Sequence, residues 1–466
     1  MSLTGLLFVG FYLAGIAAAF LRGPIWGLWT YMAVFYLHPP SRWWGVGLPP
    51  MRWALFAALV TLIALIFQLA RERNNPSPDA RATFYSHGFA IFWTLFVAWI
   101  WFQAPWVIGP EHMAGVILFT KYLLMIYLFY SIVRTPKQIK DTLMVHIYGC
   151  VYLGWLAFNA GGGGRLEGVG GPGIDDSNSM SMQLGTAVIV GAALMLSEKR
   201  WSRLGYLMLL MPLILNGMLQ GNSRGAFVGL VFGGAVLWWM KPGVVRGRFH
   251  LFAAAAIVGF VALAPVTFWE RISTLGAVTN EEQEFDNSAS SRLVIMDAQF
   301  KMFVDYPLGA GHKGTAELSP QYMDDSMLTI SHNNPGSGRA RASHNTYLSV
   351  MVDHGIFGVV LMFCILFWVW MTVRRGRKRF KKYPEYTLLL TGVSGALAVV
   401  GMAGMFAPYL KAEIMYWLIA LLMSIVAMNP AKFAEPEGKV SKPKPENHAK
   451  RRTQGHVALQ RSINGR

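Results

Sequence analysis

Two arginines and one histidine stand where helices are expected to start: Arg224 in Gly221-Asn222-Ser223-Arg224-Gly225-Ala226, Arg292 in Ser290-Ser291-Arg292-Leu293, and His344 in Ser343-His344-Asn345-Thr346-Tyr347-Leu348. A helix start offers unpaired backbone N–H groups and the positive end of the helix dipole. An arginine added there makes an anion site, because its guanidinium forks onto phosphate or carboxylate oxygens. A histidine titrates near neutrality and suits proton abstraction. Together the three residue types point to a site for an anionic leaving group and a proton acceptor. Arg339, Arg341 and Asn345 sit close to His344 in the chain, and His38 precedes Pro39-Pro40; these four are secondary candidates.

The elements that must carry these residues are membrane helices. The chain has 466 residues, 54% hydrophobic and only 14% charged. Soluble domains carry about 25% charged residues. Apolar runs recur at about 3–21, 24–38, 53–70, 86–103, 113–133, 141–160, 181–197, 204–219, 224–240, 249–267, 346–373, 386–405 and 409–428. Each approaches or reaches the ~17–25 residues that cross a hydrocarbon core. The expected fold is an all-α polytopic membrane protein with twelve or thirteen spans. The first run lacks a basic leader, so it reads as a retained helix rather than a signal peptide.

Charge sets the orientation. Of the 41 Lys and Arg, 28 fall in alternate loops or in the tail after Pro430. By the positive-inside rule that side is cytoplasmic, which also explains a net charge of +17 without nucleic acid. The remaining loops are then extracytoplasmic, and all three motifs lie at that end. The expected organisation is 1–267 as helices with short loops, 268–343 as a large outer loop, 344–430 as the last helices and 431–466 as a disordered basic tail. Within the outer loop, Leu293, Met296, Phe300 and Phe303 recur at helical spacing, which predicts an amphipathic helix against the membrane, capped by Ser288 or Ser290.

Asp175-Asp176 and Asp324-Asp325 read as solvated loop carboxylates. Cys150 and Cys364 lie inside apolar runs, and no His/Cys set has zinc spacing, so no metal or cofactor is expected.

The motifs Ser223-Arg224-Gly225-Ala226, Ser291-Arg292-Leu293, Pro307-Leu308-Gly309-Ala310-Gly311, Ser343 through Leu348 and Asp353-His354-Gly355-Ile356-Phe357-Gly358 resemble those of the O-antigen ligase family in order and spacing. The dense resemblance spans roughly residues 215–375; the stretch from Thr315 to Arg339 matches nothing in that pattern. The resemblance implies a GT-C-like glycosyltransferase of the bacterial inner membrane with a periplasmic active site and a cytoplasmic C-terminus. It implies a metal-independent, inverting transfer of a glycan from undecaprenyl diphosphate to the lipid A–core oligosaccharide. In that reading His344 is the base and Arg224 and Arg292 hold the diphosphate. The same resemblance admits an O-antigen polymerase or a protein O-glycosylating ligase. A lipid-linked sugar flippase is the alternative from another class; it predicts broken or charged helices near the bilayer midplane and shares internal repeats that this chain lacks.

Overall fold

The structure is a computed structural model that describes residues 2–74, 81–161, 166–264, 266, 269, 287–330 and 339–432. Arg165, His332 and the basic tail from 433 onward lie outside the described residues.

Every expected apolar run contains a helix among the described residues. In chain order they are α1 (Leu3–Leu21), α2 (Ile25–Leu37), α3 (Trp53–Asn74), α4 (Gly88–Gln103), α5 (His112–Ile132), α6 (Pro136–Ala160), α7 (Ser177–Ser197), α8 (Trp201–Gln220), α9 (Arg224–Met240) and α10 (Arg246–Leu263). After a further segment come α13 (Thr346–Arg379), α14 (Pro384–Ala403) and α15 (Glu413–Ala427). Among the described residues nine helices are long and apolar enough to cross a membrane; α4, α9 and α15 are shorter apolar helices. The chain is a multi-pass membrane protein. Helices suit that solvent because each closes its own backbone hydrogen bonds.

Local sequence sets the helix starts. Thr135 and Gln138 form a reciprocal capping box ahead of α6, with Pro136 in its first turn. Asp176 caps α7 by accepting from the N–H groups of Asn178 and Ser179, both at 3.0 Å. The aspartate pair at 175–176 therefore serves, at least at Asp176, as a helix cap.

One apolar core runs through the bundle, centred on aromatics such as Trp93, Phe96, Phe119, Phe129 and Trp417. Helix α9 packs tightly on α14 through a glycine face. A Cβ added at Gly229 would stand 2.7 Å from the Val399 carbonyl oxygen, and one at Gly233 equally close to that of Gly395. Small residues let the two backbones approach, the usual basis of helix contact in lipid.

The segment between α10 and α13 has its own small core. Helix α11 (Asn287–Asp305) and helix α12 (Gly314–Tyr322) bury Ile295, Ala298, Met302 and Leu318 together with Val352 of α13. Of the four apolar residues expected on one face, Leu293, Met296 and Phe300 are exposed, while Phe303 is half-buried. The start of α11 differs from expectation. The helix opens at Asn287, so Ser288 and Ser290 lie within it rather than capping it, and Arg292 falls beyond its first turn. The unmatched stretch after Thr315 forms α12 and then a two-residue antiparallel ladder, Thr329–Ile330 with Arg339–Ala340.

Candidate functional site

The three motifs meet at one turn, the Gly404–Tyr409 connection between α14 and α15. From the first motif, Ser223 caps α9: its hydroxyl accepts the Ala226 N–H at 3.3 Å, and Arg224 is the first helical residue. Asn222 takes the left-handed conformation that turns the chain into the cap. Gly225 lies directly on Phe406, where a Cβ would come within 2.7 Å of the phenylalanine Cβ. From the second motif, the Arg292 guanidinium carbon sits 5.7 Å from the centroid of that same Phe406 ring. This is cation–π range.

The third motif is bonded to the turn at four points. The Asn345 amide donates to the Met405 carbonyl at 3.3 Å. The Thr346 N–H donates to the Gly404 carbonyl at 2.7 Å. The Thr346 hydroxyl donates to the Ala407 carbonyl and accepts from the Tyr409 N–H, both at 2.7 Å.

His344 itself is half-buried and held from both sides in the chain. Ser343, on one side, is buried and accepts from the Gln299 amide at 2.9 Å. Gln299 is on α11, two turns beyond Arg292, and donates also to the Thr315 hydroxyl at 3.1 Å. Asn345, on the other side, caps α13 by accepting from the N–H groups of Tyr347 and Leu348 at 2.8 and 3.1 Å. Capping, more than substrate contact, uses the Asn345 side chain.

The other candidates are placed differently. Arg339 is exposed on the short ladder. Arg341 is tied by its backbone N–H to the Ser319 hydroxyl at 2.7 Å, which fixes the approach to His344. His38 bonds to Ser41 at 2.7 Å and packs on Gly171; its described contacts join the 38–42 loop to the 166–176 loop rather than to the Gly404–Tyr409 turn. Arg42 strengthens that join through the Val169 carbonyl at 2.8 Å.

The remaining two motifs form a clasp. The N–H groups of Ala310 and Gly311 donate to the carbonyls of Val352 and Asp353, and that of Ile356 donates to the Pro307 carbonyl, all at 2.9 Å. Gly355 interrupts α13 with φ +64°, and a Cβ there would meet the Pro307 oxygen at 2.4 Å. Gln103 donates to the Leu308 carbonyl from α4 at 2.8 Å. The clasp holds the segment between α10 and α13 to the start of α13, ten residues from His344. Burial, and then the charges of Lys411 and Lys313, push the His312 imidazole beside the clasp down to about 4, so it is neutral.

Residues 209–363 match the family model described as O-antigen ligase. Over those residues the chain is similar to the O-antigen ligase family. The match takes in Arg224, Arg292, His344 and the whole clasp. No curated protein matches the chain.

Sequence reasoning missed Phe406 and Gln299. The only local sign of Phe406 was the Gly404 to Pro408 break between two apolar runs. Gln299 shows as a lone amide on the inward face of an amphipathic helix, a position where a polar group needs a specific partner.

Proposed function

We propose that this chain is an O-antigen ligase family member that transfers a glycan from undecaprenyl diphosphate to a hydroxyl of the lipid A–core oligosaccharide, on the periplasmic side of the bacterial inner membrane. The observation that carries the reading is the convergence of three distant motifs on the Gly404–Tyr409 turn. Such convergence supports one site built from two arginines and a histidine.

The chemistry follows from those groups. The His344 imidazole takes the proton from the acceptor hydroxyl. The hydroxyl oxygen bonds to the anomeric carbon from the face opposite the diphosphate, which inverts the configuration. The bond from that carbon to the diphosphate oxygen breaks, and undecaprenyl diphosphate departs with the electron pair. Arg224, at the positive end of α9, and Arg292 hold the charge that develops on it. The exposed apolar helix faces give the polyprenyl chain a lipid-side path to the site.

A single incubation tests the acceptor. Purified protein receives lipid-linked glycan with lipid A–core, with a pilin-like protein, or with neither. Glycosylated lipid A–core supports the proposal. Glycan growth with no added acceptor replaces it with a polymerase, and exclusive modification of the protein replaces it with a protein ligase. Movement of the donor across the bilayer without any transfer replaces it with a flippase.

A further inference from the structure

A second cluster of chemistry-bearing groups lies inside the clasp. His312, Asp353 and His354 each present one ligand-capable atom, and these atoms all lie within 4.8 Å of one another. The residues are 9%, 6% and 0% exposed. Three of their polar atoms, His312 Nδ1, Asp353 Oδ1 and His354 Nε2, are buried without a hydrogen-bond partner. Buried polar atoms usually find a partner, and these belong to one cluster, with His312 Nδ1 3.9 Å from Asp353 Oδ2.

The surrounding hydrogen bonds fix what His354 offers. Gln103 donates its amide N–H groups to two carbonyls, Leu308 at 2.8 Å and Asp353 at 3.3 Å. Its amide oxygen therefore faces His354 Nδ1, at 3.0 Å, and accepts a proton from it. With Nδ1 protonated, the neutral ring carries a lone pair on Nε2. A ligating histidine is oriented in the same way, its far nitrogen donating to a fixed acceptor. Asp353 is anchored too: Oδ2 accepts the Lys313 N–H at 3.1 Å, and the backbone N–H groups of Gly314 and Thr315 also act on the carboxylate. On the opposite wall Gly115 makes room for the His312 ring, which a Cβ would meet at 2.6 Å.

We propose that His312, Asp353 and His354 bind one divalent first-row transition ion of the zinc class. Two imidazoles and a carboxylate are the donor set such ions take, whereas magnesium and calcium prefer oxygen alone. Bonds of about 2.0–2.2 Å put tetrahedral ligands roughly 3–3.5 Å apart, so small side-chain rotations close the site. Two lysine charges face the cluster, Lys313, which Glu111 matches at 2.7 Å, and Lys411, which the charges of Glu111, Asp175 and Asp353 offset. The ion pins the Pro307–Lys313 turn to the start of α13. It steadies the ground beneath the His344 helix and takes no part in the transfer, so the proposal stands apart from the function proposed above.

The test uses the full chain purified without a histidine tag, loaded with zinc and freed of excess. One tightly held ion per chain is expected by elemental analysis, with a melting temperature that drops when a strong chelator is added. Cobalt loading is expected to give visible ligand-field bands. His312→Gln and His354→Gln, each shown monodisperse, are expected to lose both the ion and the bands. Substoichiometric zinc and no chelator effect in the folded wild type overturn the proposal and leave a buried water as the occupant. So does zinc that both variants retain in full.

Discussion

The Arg292 guanidinium lies over the Phe406 ring, 5.7 Å from its centroid, while Phe406 also packs on Gly225 beside Arg224. Phe406 thus touches the elements that carry both arginines. A cation–π contact of about 0.5–2 kcal/mol corresponds to roughly a 2–30-fold change in an equilibrium or rate. Phe406→Ala is expected to lower glycan transfer within that range, and Phe406→Tyr to restore most of it. Equal loss in both variants speaks against a role for the ring face.

Gln299 connects the Arg292 helix to the His344 segment from a buried position, 1% exposed. Gln299→Ala leaves the hydroxyls of Thr315 and Ser343 short of a donor, at a cost of about 1–3 kcal/mol. The expected result is a lower melting temperature and a fall in kcat larger than any rise in donor KM. An unchanged kcat in a folded variant removes Gln299 from the positioning of His344.

Much of this architecture was legible in the chain, for physical reasons that differ by residue. The apolar runs are long because the bilayer is thick, and each contains a helix among the described residues. Ser223 was readable as a cap because Ser before a helical run serves that purpose. The start of α11 was not: nothing apolar marks Asn287, and Ser288 and Ser290 look like caps although the helix runs through them. Phe406 was hidden because an aromatic residue between two spans has no local signature. Its contacts come from helices separated by more than a hundred residues of chain. The described part of the Thr315 to Arg339 segment, which the 209–363 match takes in, was harder to read because its ties are tertiary, such as the Arg341 N–H to the Ser319 hydroxyl.

Gly355 holds φ +64° with the Pro307 carbonyl oxygen in the space a Cβ needs. Left-handed backbone and crowding together cost on the order of 1–3 kcal/mol or more for any other residue. Gly355→Ala is expected to cut the yield of folded protein and lower its melting temperature. Wild-type stability in that variant means the clasp is not required to hold the segment between α10 and α13.

Arg224 opens α9 next to its Ser223 cap. If it grips diphosphate through a bidentate fork, a lysine cannot substitute, since it offers one compact charge. Arg224→Ala is expected to slow transfer by ~10²–10³, the scale for losing one preorganised donor. Arg224→Lys is expected to recover little of that. Full recovery reduces the role to charge alone.

The most direct measurement compares wild type and His344→Ala under single-turnover conditions. Folded, purified protein is mixed with saturating undecaprenyl-diphosphate glycan and lipid A–core, and donor binding is measured separately. Loss of a general base predicts a fall of about 10²–10⁴ in the transfer rate with donor affinity kept. A variant that transfers at the wild-type rate contradicts the assignment of His344 as the group that takes the acceptor proton.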